Sequence, residues 1–227
     1  IGSSLYYVYD GIFSTQAEVD AFNQAHPGAY SGVGESTIHP GDMKYKDIGS
    51  DNGQKIPDGK IDGFDQIRID KGHVPTFQGG INLGVQYKGF DLTVLMQGAA
   101  GAVQFLQTES GTIGNFLQWS YDHRWTVDNQ STKYPRTVDR NNQYFSGNNT
   151  YWLLNMDYIR LKNIELGYTI PASITNKVGI GNLRLYVNGL NVLTFAKQNI
   201  YDPESTSQDG HYYPQARIIN MGASVKF

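Results

Sequence analysis

Along the last stretch of the chain, Ile219, Met221, Ala223, Val225 and Phe227 alternate with Asn220, Gly222, Ser224 and Lys226. A period of two describes a strand with one apolar and one polar face. The same alternation recurs upstream. In GINLGVQY the apolar set is Ile81, Leu83, Val85 and Tyr87, and after Lys88-Gly89 it continues with Phe90, Leu92, Val94 and Met96. Between them lie Asn82, Gly84, Gln86, Asp91, Thr93 and Gln97, with Leu95 the one break in the pattern. Two further strands are predicted in YWLLNMDYIRLKNIELGYTI and NLRLYVNGL, with outward sets Ile164, Leu166, Tyr168, Ile170 and Leu183, Leu185, Val187.

The pattern divides the chain into a mostly irregular region 1–65, a hairpin region 66–98, a loop-like region 99–150 and three strands in 151–227. In the first region TQAEVDAFNQAH predicts a short helix capped by Ser14 or Thr15. A connection as long as 99–150 is uncommon in a compact domain unless it is functional. Short links follow residues 87 and 170 and long ones follow 98 and 190, an asymmetry expected of an outer-membrane barrel. A β-sandwich remains the alternative. The polar faces favour the barrel, because they carry Asn, Gln, Gly, Ser, Asp and Tyr instead of the Lys, Glu and Thr common on a sheet facing water.

Composition sharpens this picture. The 227 residues include 16 Tyr, 10 Phe, 3 Trp and 26 Gly, and only 17% are charged, against about 25% in soluble domains. Net charge is −3, so no basic surface points to nucleic acid. With no cysteine, disulfides and thiolate metal sites are excluded. No apolar run approaches the roughly 18 residues of a membrane helix, which leaves a transmembrane barrel open.

Three groups of residues carry candidate chemistry. The stretch 47–65 resembles an interrupted calcium loop, in which Asp47, Asp51, Asp58, Asp62 and Asp65 would supply oxygens around Gly59. Its bland alternative is an Asp- and Gly-rich surface turn. Trp119, Tyr121, Arg124 and Trp125 could stack on and hydrogen-bond a ligand, or pack the loop onto itself or onto a covering protein. Trp152, beside Tyr151, is expected in an interfacial girdle. No His pair, GxSxG elbow or phosphate loop supports an enzyme, and Asp202 and Glu204 in YDPE are expected to order a loop.

The segments GDMKYKDIG (41–49), DGKID (58–62), INLGVQYKGFDLTVLMQGAAG (81–101), YPR (134–136), YIRLKNIELGYTIP (158–171), LYVNGLNVLTF (185–195), YDPE (201–204) and the terminal GASVKF resemble, in order and spacing, the carboxyl-terminal part of the SusC/RagA-type TonB-linked outer-membrane transporters. That resemblance implies an all-β fold, the end of a barrel of about 22 antiparallel strands with long extracellular loops. It also implies a plug domain absent from these residues, so the chain is expected to be one piece of a longer protein. The implied function is import of oligosaccharides or peptides, without catalysis, together with a SusD-like surface lipoprotein and the TonB complex acting through the plug. The implied location is the outer membrane of a Bacteroidota-type bacterium, with lipid and the rest of the barrel as neighbours and the carboxyl terminus on the periplasmic side. Phe227 is similar to the terminal aromatic that serves as a barrel-insertion signal. The competing reading is a secreted carbohydrate-binding β-sandwich using Trp119 and Trp125. It predicts polar residues on the outside of the sheet, where the barrel predicts an exposed apolar band.

Overall fold

A computed structural model describes residues 4–31, 37–106, 118–137, 148–205 and 213–227. In chain order the elements begin with β1 (Ser4–Tyr7), β2 (Tyr9–Ile12), α1 (Gln16–Ala25), β3 (Met43–Tyr45), β4 (Gln66–Ile69), β5 (Phe77–Tyr87) and β6 (Phe90–Ala100). They continue with β7 (Val103–Phe105), α2 (Gln118–His123), β8 (Leu153–Asn155), β9 (Tyr158–Thr169), α3 (Ala172–Thr175), β10 (Asn182–Ala196) and β11 (Ile218–Lys226). The chain forms two compact units, one drawn mainly from residues 1–72 and 104–154, the other from 73–103, 155–205 and 212–227.

The second unit is built on one five-stranded antiparallel sheet in the order β11-β10-β9-β6-β5. A two-residue turn at Lys88 and Gly89, both with positive φ, joins β5 to β6. Register fixes which residues share a face. Ile81 pairs with Met96, Leu83 with Val94, Val85 with Leu92 and Tyr87 with Phe90. The same rows continue through Ile164, Leu166 and Tyr168 of β9, Leu185 and Val187 of β10, and Ile219, Met221 and Ala223 of β11. This face is not covered: Leu83 is 57% exposed, Val85 62% and Met221 82%. From Tyr87 to Phe77 the band spans about 33 Å of strand, which a tilt of about 40° reduces to about 25 Å, the height of a barrel's apolar belt. Aromatic rings bound it, with Tyr87, Phe90 and Tyr168 at one end and Phe77 and Phe195 at the other.

Three features of this sheet were not read from the pattern. The hairpin starts at Phe77, whereas β4 pairs with β1 in the other unit. Strand β10 runs to Ala196 instead of ending near 190, carrying Leu193 and Phe195 on the apolar face opposite Leu161 and Ile159. Between them the pairing slips at Leu190/Leu193 and at Leu95/Met96, so Lys162 falls out of register with both neighbours. A bulge of this kind shifts the alternation by one residue.

The first unit is organised the other way round. Regions 1–65 and 99–150, expected as loops, contribute short strands, two helices and a buried core. Phe13, Val19, Tyr30, Met43 and Ile61 are nearly or fully inaccessible. The helix forms as expected: Thr15 caps it by accepting from the Glu18 N–H at 3.2 Å, and Glu18 accepts from the Ser14 N–H at 2.8 Å. These two bonds satisfy otherwise orphaned donors. Segment 148–150 lies along β1, with the Tyr7 N–H donating to Asn148 O and the Thr150 N–H to Tyr7 O. The part of DRNNQYFSGNNT up to residue 147 lies outside the described residues. Trp152 is not a girdle residue: it is 8% exposed and packs with Tyr6 and Phe105. An aromatic at a strand start reads the same in sequence whether lipid or protein covers it.

Candidate functional site

The polar face of the five-stranded sheet carries a charge network near the end of the β5–β6 turn. Arg184 reaches the carboxylate of Asp91 through Nε at 3.0 Å and through Nη2, and Nη2 also donates to Glu165 at 2.7 Å. Three strands, β6, β9 and β10, supply one residue each. Asn220 donates to Asn188 at 3.1 Å, extending the polar row onto β11. Glycine makes room for it. A Cβ at Gly167 would lie 2.4 Å from Arg184 Nη2 and 2.6 Å from Asp91, and one at Gly222 would lie 2.6 Å from the Tyr186 ring. The network fits a face turned toward water or another polar domain, since ionised side chains facing hydrocarbon would be costly.

A second cluster lies where β9 and β10 meet the connection 197–217. Arg160 is 2% exposed; its Nε donates to the Thr194 hydroxyl at 2.9 Å and its Nη2 to Asp202 at 2.9 Å. Its Nη1 lies 2.9 Å from Glu204, whose other oxygen accepts from Lys162 Nζ at 2.7 Å. Two cations and two carboxylates balance. Burial raises the Asp202 pKa, but the N–H groups of Glu204 and Gln215 and the Arg160 guanidinium outweigh it and hold the carboxyl below its ordinary value. Asp202 and Glu204 therefore fasten the YDPE turn to the sheet, the loop-ordering role expected of them.

The acidic residues of 47–65 turn their oxygens on the backbone. Asp47 accepts from the Asp58 and Gly59 N–H groups, and Asp65 from those of Ile48, Gly49 and Asp62. Asp62 caps the 3₁₀ turn Gly63–Asp65 through the Phe64 N–H, and Asp51 pairs with Lys60 at 3.2 Å. Asp58 accepts from the Lys60 N–H. Among the described residues no three carboxylate or imidazole groups gather at metal-binding spacing.

The aromatic segment separates into two roles. Trp125 is half-buried against the core of the first unit and donates from Nε1 to Ser14 O at 3.0 Å. A Cβ at Gly41, whose φ is +92°, would meet its ring at 2.9 Å. Trp119 stacks on His123 at 5.0 Å and meets Tyr134 edge-on at 5.3 Å. Tyr121 is exposed, with the Arg124 guanidinium 3.7 Å from its ring centre. Arg124 is thus already placed on an aromatic face. Phe227 follows the end of β11 and is 92% exposed.

Sequence reading missed the Arg160 and Arg184 clusters. The signal for the first was present: in YIRLKNIEL the apolar residues sit at 159 and 161 and then at 164 and 166. The doubled polar pair Lys162-Asn163 marks the slip in pairing at Lys162. Nothing in sequence paired Arg184 with Asp91, which is 93 positions away.

No family model matches the chain. Three curated relatives from Formosa agariphila do. TonB-dependent receptor P3 is 29% identical over 168 residues, covering 67% of this chain and 16% of the relative. TonB-dependent receptor P26 is 25% identical and covers 96% of this chain and 22% of its own length. TonB-dependent receptor P39 is 27% identical, with 84% and 19% covered. Among solved structures, the RagAB peptide transporter superposes with a TM-score of 0.65 at 24% identity, covering 100% of this chain and 23% of that one. The RagAB peptide importer in its closed-closed state gives 0.63 at 24% identity, with 99% and 23% covered. The chain thus spans about a fifth of the length of the proteins it matches. Sequence and fold point the same way: the chain is similar to a stretch of several TonB-dependent receptors, and it shares the fold of part of the RagAB transporter.

Proposed function

We propose that this chain forms wall and loops of an outer-membrane importer that takes up peptides or oligosaccharides with energy from TonB, under a SusD-like surface lipoprotein. The observation that carries the reading is the uncovered apolar face, spanning five strands, opposite a face with a buried ion cluster and a second charge network. Lipid would cover the first face. The lumen, filled by the plug or by water, would meet the second. Both edges of the sheet, β5 and β11, would pair with further strands of the barrel, because unpaired amides in hydrocarbon cost several kcal/mol each.

The end of the sheet carrying the Lys88-Gly89 turn and the link 171–181 would lie on the periplasmic side, which also puts Phe227 there. The test is fractionation of native cells followed by immunoblotting with and without heating. A heat-modifiable band several times larger than 25.3 kDa in the outer membrane is expected. A soluble band of 25.3 kDa contradicts the reading and turns attention to the secreted sugar-binding module.

A further inference from the structure

Beside the Arg160 cluster the second unit holds a polar cavity of about 320 Å³, among whose lining residues are Arg160, Asn191, Thr194, Tyr201, Asp202 and Arg217. Its charges are not balanced as those of the cluster behind it are. Arg160 is bonded to Thr194 and Asp202 and ion-paired with Glu204. Arg217, by contrast, makes no ion pair or hydrogen bond among the described residues, and the cavity lining carries two guanidinium groups against one carboxylate. The Tyr201 hydroxyl is buried and likewise has no hydrogen-bond partner among the described residues. A buried hydroxyl left unpaired is costly, so such a group marks a place where a partner is expected.

Local structure sets Arg217 in place. At the β10 bulge Asn191 adopts a φ of +52°, and its side-chain amide donates to Ala216 O at 3.1 Å. That bond holds the backbone one residue before Arg217, just outside the ladder that begins at the Leu190–Ile218 pair. The Asp202 carboxylate does the same from the other side by accepting from the Gln215 N–H at 2.9 Å.

We propose that this cavity binds the carboxylate end of the imported ligand, with Arg217 as the charge partner. A guanidinium pairs with a carboxylate through two parallel N–H bonds. The single excess positive charge matches a monoanion, whereas a phosphate dianion would remain half-compensated. The volume lies at the low end for ligand sites, enough for the terminal group of a longer polar chain. That carboxylate could come from a peptide terminus or from a sugar acid. The inference rests on the importer reading.

The test is calorimetric titration of the intact receptor purified from outer membranes, with tetraglycine against tetraglycinamide and digalacturonate against its dimethyl ester. At least one acid is expected to bind about tenfold or more tightly than its neutral partner. Arg217→Gln should erase that difference, and Arg217→Lys should retain part of it. A preference confined to one pair identifies the source of the carboxylate. Equal or absent binding of acid and neutral forms, or a preference that survives Arg217→Gln, overturns the proposal. Heat-modifiable mobility of each variant shows that it is folded. Loss of the outer-membrane location in the unaltered protein would instead count against the importer reading itself.

Discussion

The two units of this chain draw on the same aromatic-rich vocabulary and use it in opposite directions. In the first, Phe13, Tyr30 and Met43 are buried among one another and polar backbone is satisfied by Asp47, Asp65 and Asn149. In the second, Phe77, Tyr87, Phe90 and Met221 stand outside the sheet while Arg160 lies inside at 2% exposure. A hydrophobic pattern therefore reports the surroundings of a face and not its depth. A core built in water hides its apolar groups, and a wall built in lipid displays them.

The two buried anchors, Phe13 and Arg160, should carry the largest effects. Phe13→Ala removes a fully buried ring from the first unit and should cost about 3–5 kcal/mol, read as a lower denaturation midpoint of that unit by tryptophan fluorescence. Arg160→Ala leaves Asp202 without its guanidinium and Glu204 with Lys162 as its cation, and should cost a similar ~3–5 kcal/mol, read as a lower temperature for loss of the heat-modifiable form. If the second unit were a soluble sheet, Leu83→Arg would be nearly neutral. In a membrane wall, at mid-height of the apolar band, it should cost about 2–4 kcal/mol, whereas Asn82→Arg on the opposite face should cost less than about 1. Refolding into lipid vesicles against urea measures both.

Smaller effects sharpen the contrast. Gly222→Ala should cost about 1–3 kcal/mol, because the new methyl meets the Tyr186 ring. The first unit should also be sensitive to alkali. Burial pushes the Tyr9 phenol up to about 12, and burial likewise raises Tyr45 and Tyr7. A raised phenol pKa means that the folded state holds its proton longer than the unfolded one. Stability is therefore full below pH 10 and falls as pH rises from there through the folded value. Tyrosinate absorbance should rise in step with unfolding. A smooth titration with no unfolding would show these phenols to be solvent-exposed.

Much of the second unit was legible in sequence, because a period of two in Leu83, Val85, Leu92, Val94, Leu185 and Val187 fixes the face of each residue without knowledge of its partner. Register did the rest, whereas the start of the hairpin at Phe77, the end of β10 at Ala196 and the bulge at Lys162 were not legible. The first unit was hardly legible. Its core residues Phe13, Tyr30, Ile38 and Ile61 are spread over irregular backbone with no repeat, so only three-dimensional packing joins them. The candidate sites divide likewise: the Asp-rich loop could be seen in sequence as a cluster but not as a set of backbone acceptors. Arg184 and Asp91 could not be joined at all across 93 positions.

The central claim is that the alternating face of the sheet meets lipid. The most direct measurement uses the lack of cysteine in these 227 residues: single cysteines placed in turn from Arg184 to Asn188 of β10, spin-labelled, in the receptor reconstituted in bilayers. Accessibility to oxygen dissolved in the membrane should alternate with a period of two, high at Leu185 and Val187 and low at Arg184, Tyr186 and Asn188. Flat profiles, or access of a water-soluble relaxant at Leu185 and Val187, would contradict it.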